Sequence, residues 1–216
     1  MKVGTDSVIL GAWTSVSGCE TILDVGTGTG LLALMLAQRS NALIDAVEID
    51  PDAATQANEN ASISPWNSRI SVVNSSFQEF YTQTTSRYDL VVCNPPFFSH
   101  SLKAKNESRT LARHNDSLSF RELISGSERI LKPGGRLNVI IPSEDEENFI
   151  KLAQEFLFYP HKKLKIRPLP ERDFKRVILE FGFGEKECLT QEICIETGER
   201  HNYSSEYIDL TKDFYL

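Results

Sequence analysis

TILDVGTGTGLLALMLAQR, residues 21–39, is the stretch whose reading decides the fold. Its first five residues form a short apolar strand that runs into three closely spaced glycines. From residue 29 to 39 the apolar side chains recur at helical spacing instead. Glycines at such a turn let the backbone take positive φ and approach a ligand closely. In an open α/β sheet the ligand sits beyond the carboxyl ends of the strands, so residues 24–30 are a candidate binding loop.

Working outward, the alternation continues. Residues 43–49 read as a second strand, and Asp50 and Pro51 then cap and start a helix running to about residue 63. Residues 69–73 are a third strand. The fourth, 88–93, is nearly all apolar and is therefore expected to be buried on both faces. A helix over 118–131 stops at Lys132-Pro133-Gly134-Gly135, and 136–141 is a fifth strand. A helix follows over 145–158. Residues 161–169 and 174–183 are then paired strands around the turn at 169–173, too close for a crossover and so antiparallel, at one edge of the sheet. Residues 1–216 thus read as a single domain of α/β class with a doubly wound (Rossmann-like), mostly parallel sheet and one long polar loop, 99–115.

Composition excludes several classes. With 40% hydrophobic and 25% charged residues the chain is not disordered. It holds no apolar run of membrane-spanning length, and its first residues lack the apolar core of a secretory signal. The four cysteines form no CxxC pair and the four histidines are scattered, so neither a disulfide framework nor a metal site is expected. A soluble protein of the reducing cytoplasm fits these facts. The net charge of −7 argues mildly against nucleic acid. That average conceals a basic run (Lys162, Lys163, Lys165, Arg167, Arg172, Lys175, Arg176) followed by an acidic C-terminal stretch, and uneven charge matters more for an RNA partner than the sum.

The glycine loop carries two acids at informative places. Glu48 closes the second strand 22 residues after Gly26, where an acid accepts hydrogen bonds from both hydroxyls of a ribose. Asp24 stands just before the loop, where it would repel a pyrophosphate but suit an ammonium group. The dinucleotide pattern also needs a small residue at position 31, and Leu31 stands there. S-adenosyl-L-methionine has a ribose, an ammonium and no phosphate. It is the expected cofactor, held by Asp24, Gly26, Gly28, Gly30 and Glu48.

The fourth strand ends in Asn94-Pro95-Pro96-Phe97. In this topology it neighbours the first strand, so its end overhangs the reactive methyl of the cofactor. A planar exocyclic amine is a poor nucleophile because its lone pair is delocalised into the ring. Hydrogen bonds from its two N–H groups to the Asn94 side-chain carbonyl and the Pro95 backbone carbonyl pull the nitrogen towards tetrahedral geometry. They also stabilise the developing positive charge. The prolines stiffen these acceptors, and Phe97 offers a face on which a flat target stacks. No strong general base is required. A loop that merely ends a strand and packs two aromatic rings is the plainer account of the same residues.

These motifs resemble those of the class I methyltransferases acting on amino groups of planar targets. The stretches 1–13 (MKVGTDSVILGAW), 181–184 (FGFG) and 203–216 (YSSEYIDLTKDFYL) are more narrowly similar to the bacterial tRNA(Val) adenine-37 N6-methyltransferases, and this likeness runs essentially end to end. The resemblance implies a seven-stranded sheet with an antiparallel last strand, transfer to N6 of the adenine beside the anticodon, a tRNA partner, no membrane and a monomer. Members of that family carry a further N-terminal stretch before KVGTD that is absent here, so part of the lid over the cofactor or of the tRNA contact is expected to be missing. The resemblance places Lys2 and Thr5 in a loop closing on the cofactor's methionine end. Where related enzymes carry an acid after the third strand this chain has Ser76 and Phe77, which are expected to meet the cofactor's adenine. The generic motifs alone leave other targets open: guanine N2 of ribosomal RNA, adenine N6 of DNA, a release-factor glutamine, or a silent cofactor-binding module.

Thr5 or Asp6 has the plainer role of capping a short helix over 7–13. Lys103, Lys105, Arg109, Arg113 and His114 crowd the long loop beside the target site and are expected to contact phosphates, as the basic run over 162–176 also can. Trp13 is read as packing, and Cys93 as a small buried hydrophobe.

Overall fold

The computed structural model of the chain describes residues 4–95, 118–198 and 202–215. Five strands are mutually parallel: β1 (Thr21–Val25), β2 (Leu43–Glu48), β3 (Ile70–Asn74), β4 (Tyr88–Cys93) and β5 (Leu131–Pro142). Three more, β6 (Phe158–Arg167), β7 (Arg176–Phe183) and β8 (Leu189–Cys194), complete one eight-stranded sheet in the order β3-β2-β1-β4-β5-β7-β6-β8. The chain builds outward from β1 through β2 to β3, then returns to place β4 on the other side of β1. That reversal opens a crevice at the carboxyl ends of β1 and β4, the place where open α/β sheets bind ligands.

Among the described residues seven α-helices accompany the sheet: α1 (Thr5–Trp13), α2 (Leu31–Arg39), α3 (Pro51–Ile63), α4 (Phe77–Gln83), α5 (Phe120–Ile130), α6 (Glu146–Gln154) and α7 (Ser205–Thr211). Alternate residues of the central strands feed two separate cores. Val91 and Cys93 of β4 join Leu123, Ile124 and Phe149 beneath α5 and α6, while Leu90 and Val92 join Ile9, Leu10 and Leu36 beneath α1 and α2. This is why β4 is apolar at consecutive positions: each residue has a helical layer to bury against. Asp50 caps α3 as expected, its Oδ1 accepting from the Ala53 amide at 2.8 Å, with Pro51 in the first turn.

The sheet has eight strands rather than seven, and its antiparallel strand is not at an edge. β7 lies inside, antiparallel to both β5 and β6, and β8 extends the sheet beyond β6 in parallel. Burial explains the order. Residues 177–182 of β7 are buried without interruption, which only an interior strand can satisfy, whereas β6 alternates buried Leu164 and Ile166 with lysines. β8 left no alternation to read, since Ile193 is its one buried residue.

Other boundaries move as well. Strand β5 begins at Leu131 and absorbs Lys132-Pro133-Gly134-Gly135 through an irregular register opposite Tyr88 and Leu90, so this run does not merely stop the preceding helix. Helix α6 ends at Gln154 because the chain turns at Leu157, with φ of 60°, to enter β6. Helix α1 starts two residues early, with Gly4 as its N-cap and no side-chain capping bond. Thr5 and Asp6 therefore sit inside its first turn and cap nothing. Asp6 instead accepts from Arg176 of β7 at 2.8 Å. Trp13 packs against the sheet, its Nε1 donating to Gln191 of β8 at 2.8 Å.

Candidate active site

Register brings the two motifs together. Val25 of β1 pairs with Cys93 of β4, so Gly26 and Asn94 leave the sheet side by side. The glycine loop is tied across to β2: the amides of Gly26 and Thr27 both donate to the Val47 carbonyl, at 2.9 and 3.0 Å. Gly26, Gly28 and Gly30 all have positive φ (70°, 60° and 86°), the region closed to most L residues. A Cβ built on Gly26 would meet nothing within 4 Å, so space stands open above the turn; one on Gly30 would touch Ala57 of α3 at 3.4 Å. From α3, Asn60 braces the loop by donating to the Thr29 carbonyl at 2.9 Å.

Glu48 is buried at the end of β2 with both carboxylate oxygens held by backbone. Its Oε2 accepts from the Gly28 amide at 2.7 Å and its Oε1 from the Asp50 amide at 3.0 Å. Two carboxylate oxygens offer about four lone-pair positions, so one remains on each for an incoming hydroxyl. The carbonyl of Glu48 is fixed in turn by the Asn74 side chain and the Ser75 amide.

Asp24 is 1% exposed, beneath the loop. Its Oδ2 accepts from the Thr27 hydroxyl at 2.6 Å and the Ala33 amide at 3.1 Å, while Oδ1 has no donor among the described residues. Burial is the main cause that pushes this carboxyl up to about 7, with the Glu48 charge adding to it and the two hydrogen bonds opposing it. The linkage sign follows. An acid that keeps its proton longer folded than unfolded stabilises the fold at low pH, and that contribution is lost as pH rises from about 4 through 7. It amounts to on the order of 4 kcal/mol over that window. Denaturant titrations between pH 4 and 8 are therefore expected to show wild type losing stability relative to Asp24→Asn as pH rises; parallel curves would contradict the assignment.

Asn94 is half-buried at the head of β4, and its Nδ2 donates to the Ser7 hydroxyl of α1 at 2.8 Å. Ser7 was not singled out in the sequence, and nothing local could have done so, since 87 residues separate the pair. The contact aims the other end of the amide, the Oδ1 acceptor, away from α1. Pro95 is buried. Cys93 is buried too, its thiol pushed well up by burial first and then by the Asp24 and Glu48 charges, which makes it inert and shows how closely the strand ends converge.

The remaining candidates divide. Ser76 caps α4 in a reciprocal box with Glu79, donating its hydroxyl to Oε2 at 2.9 Å and accepting from the Glu79 amide at 3.2 Å, which leaves one lone pair. Phe77 turns inward, 4% exposed, packing edge-on to Tyr81 and against Gly126 of α5, so its ring offers no open face. Ile49, directly after Glu48, is instead 51% exposed, an apolar side chain at the mouth of the site that sequence reasoning passed over. Thr5 lines a cleft with C-terminal tyrosines and not the glycine loop. Lys2, Pro96, Phe97 and the long loop with Lys103, Lys105, Arg109, Arg113 and His114 lie outside the described residues.

The basic run is largely consumed within the protein. Lys162 pairs with Glu180, Lys163 with Glu146, Arg167 with Glu192 and Arg176 with Asp6, and Lys165 and Arg167 flank the Phe174 ring. Arg172 and Lys175 are exposed and without an ion pair among the described residues. Among those residues, too, no group of three His, Cys, Asp or Glu is placed to hold a metal, and no helix is long and apolar enough to cross a membrane.

Known proteins match this arrangement. Residues 14–161 match the methyltransferase small domain family. The chain is 47% identical over 218 residues to a tRNA1(Val) (adenine(37)-N6)-methyltransferase of Flavobacterium psychrophilum, covering 100% of this chain and 93% of that protein. A protein of the same description from Bacteroides fragilis is 46% identical, with 100% and 91% covered. Among solved structures, an Agrobacterium tumefaciens protein described as a predicted O-methyltransferase superposes with a TM-score of 0.73 at 18% identity, over 96% of each chain. A glycopeptide N-methyltransferase solved with S-adenosyl-L-methionine superposes at 0.59 and 14% identity, over 84% of this chain and 88% of that one, a likeness of fold.

Proposed function

Because the chain belongs to the family of the tRNA1(Val) (adenine(37)-N6)-methyltransferases, we propose that it methylates N6 of adenine 37 in the anticodon loop of tRNA(Val), acting as a monomer of one domain. The cofactor, S-adenosyl-L-methionine, supplies an electrophilic methyl group on a sulfonium. The residues present fit it: a buried carboxylate with an orphaned oxygen (Asp24) for the ammonium, a buried acid with free lone pairs (Glu48) for the ribose, and open space over Gly26. Exposed Ile49 supplies an apolar face for the adenine and Ser76 a hydrogen-bond acceptor. Lys2 is assigned to the methionine end, whereas Thr5 lines the cleft against the C-terminal tyrosines.

One observation carries the reading: the β1–β4 register sets Asn94 beside the glycine loop, with Ser7 holding its amino group. In that orientation Asn94 accepts one N–H of the target amine through Oδ1, and the Pro95 carbonyl accepts the other. Both bonds localise the nitrogen lone pair and strengthen as positive charge grows on nitrogen, which is differential stabilisation of the transition state. Pro96 stiffens the acceptors and Phe97 stacks on the flipped base. Extruding a base costs least where it is already unpaired, as in an anticodon loop. The surplus proton leaves after transfer, so no base of raised basicity is needed.

Incubation with labelled cofactor and tRNA, followed by nucleoside mass spectrometry, is expected to yield N6-methyladenosine at position 37. Label in another nucleoside would overturn the target. Ser7 acts through Asn94. Its replacement by alanine is expected to lower kcat about fivefold, the worth of one hydrogen bond of about 1 kcal/mol, with cofactor Kd unchanged and Ser7→Thr restoring the rate. An alanine variant as fast as wild type would leave Asn94 held by its own packing.

A further inference from the structure

A cleft of about 490 Å³ lies between the first turn of α1 and the C-terminal helix, lined by Thr5, Tyr203, Tyr207, Ile208, Lys212 and Tyr215. Tyr207 is its buried anchor, 4% exposed, with its hydroxyl 3.3 Å from that of Tyr215. Tyr203 stacks on Tyr207 with ring centroids 5.1 Å apart and planes at 28°, yet remains 40% exposed, so its outer face is open; Tyr215 is 49% exposed. Lys212 is the one charged residue in the lining among the described residues. The acids of this region, Glu206, Asp209 and Asp213, do not line it. Rigid phenol faces, hydroxyl tips and a single ammonium suit a small flat ligand carrying one negative charge.

The position of the cleft narrows the choice. Thr5 stands two residues before Ser7 on the same helix, about 3 Å of axial rise, and Ser7 holds Asn94. Asp6, between them, is fixed to Arg176 at the start of β7. Tyr203 follows β8 and is bridged to Glu196, at the carboxyl end of the sheet where Asn94 also lies. Cleft and amide therefore share one rim of the sheet, on different faces of the first turn of α1, because residues two apart on a helix point about 200° from one another.

We propose that this cleft is a second nucleotide subsite, in which a base flanking the target in the same RNA stacks on Tyr203 while Lys212 pairs with its phosphate. This rests on the RNA-methylating reading above. Any base presents a π-face, so the subsite selects an unpaired strand and not a sequence. An acidic peptide would find one cation where several are needed, and a lipid tail would meet too many hydroxyls.

The test uses the full chain and an anticodon stem-loop RNA. Tyr203→Ala is expected to raise the RNA KM about tenfold, within the range found for loss of one base stack, leaving kcat and cofactor Kd unchanged, while Tyr203→Phe keeps the stack and wild-type behaviour. Lys212→Gln is expected to raise KM about fivefold and to reduce its salt dependence. An abasic nucleotide next to the target should cost wild type the same tenfold and Tyr203→Ala nothing further. Equal KM for wild type and Tyr203→Ala, or equal loss from the abasic RNA in both, overturns the proposal. Binding of the stem-loop by anisotropy separates the two readings. Binding that weakens in Tyr203→Ala without any methyl transfer by wild type would sink the reaction and retain the subsite; transfer by wild type with binding equal in both would sink the subsite alone.

Discussion

Replacing Asn94 by alanine is expected to cut methyl transfer by about 10²–10³-fold, the usual cost of losing one preorganised hydrogen-bonding group at developing charge, while leaving cofactor affinity within a factor of two of wild type. The separation follows from where the side chain sits. Asn94 lies at the end of β4, and its described hydrogen bond is to Ser7 on α1, not to the glycine loop or Glu48. In the proposed roles its removal leaves the cofactor's contacts in place and takes away the acceptor for the amine. Asn94→Asp is a sharper probe: it keeps an oxygen on the target but loses the N–H that Ser7 accepts, and adds a charge near Glu48 and Asp24. It should be impaired in turnover and, unlike alanine, should become pH-dependent. Single-turnover rates and calorimetric Kd values measured on the same preparations decide the matter; parallel loss of affinity and rate in the alanine variant would place Asn94 in the cofactor site instead.

Glu48→Ala carries the second large effect, an expected rise in cofactor Kd of a hundredfold or more. In the proposed role two charge-assisted bonds to ribose hydroxyls would be lost, at about 1.5–3 kcal/mol each. The substitution also strands the Gly28 and Asp50 amides, which the carboxylate satisfies at 2.7 and 3.0 Å. An unpaired buried amide costs about 1–3 kcal/mol, so the glycine loop should loosen and the apo protein melt earlier. Glu48→Gln separates the two parts, because its carbonyl still accepts from one of those amides while the amide end offers donors where acceptors are needed. It should recover much of the melting temperature and little of the affinity. Unchanged affinity in Glu48→Ala would remove this residue from the ribose site whatever happened to stability.

Much of the candidate site was legible because its signals are local. Glycines that must take positive φ, an acid closing a strand, and an asparagine followed by prolines each announce themselves within a few residues. The readings that shifted were those where a side chain has two chemistries open to it. Ser76 and Phe77 follow β3 as a cofactor contact would, yet the same serine with Glu79 three residues on is a capping box, and Phe77 finds the surface of Gly126. Asp24 reads as a carboxylate awaiting an ammonium; the structure adds that one of its oxygens braces the loop and α2. The basic run reads as an RNA-facing surface until Glu146, Glu180, Glu192 and Asp6 claim four of its members from elsewhere in the chain.

What the sequence by itself determined is the set of parts: the β1–glycine–α2 unit, the apolar strand ending in Asn94, and the alternation that makes the sheet parallel. Periodicity, backbone freedom at glycine and the missing amide of proline act over a few residues and need no partner. Only the tertiary structure decided how the parts associate. The uninterrupted burial of β7 draws it inside, the mostly polar β8 is left for the edge, and a serine near the N-terminus settles which way the Asn94 amide faces. Those outcomes depend on contacts between residues from 10 to 170 positions apart, and energy of that kind leaves no pattern in any short stretch of chain.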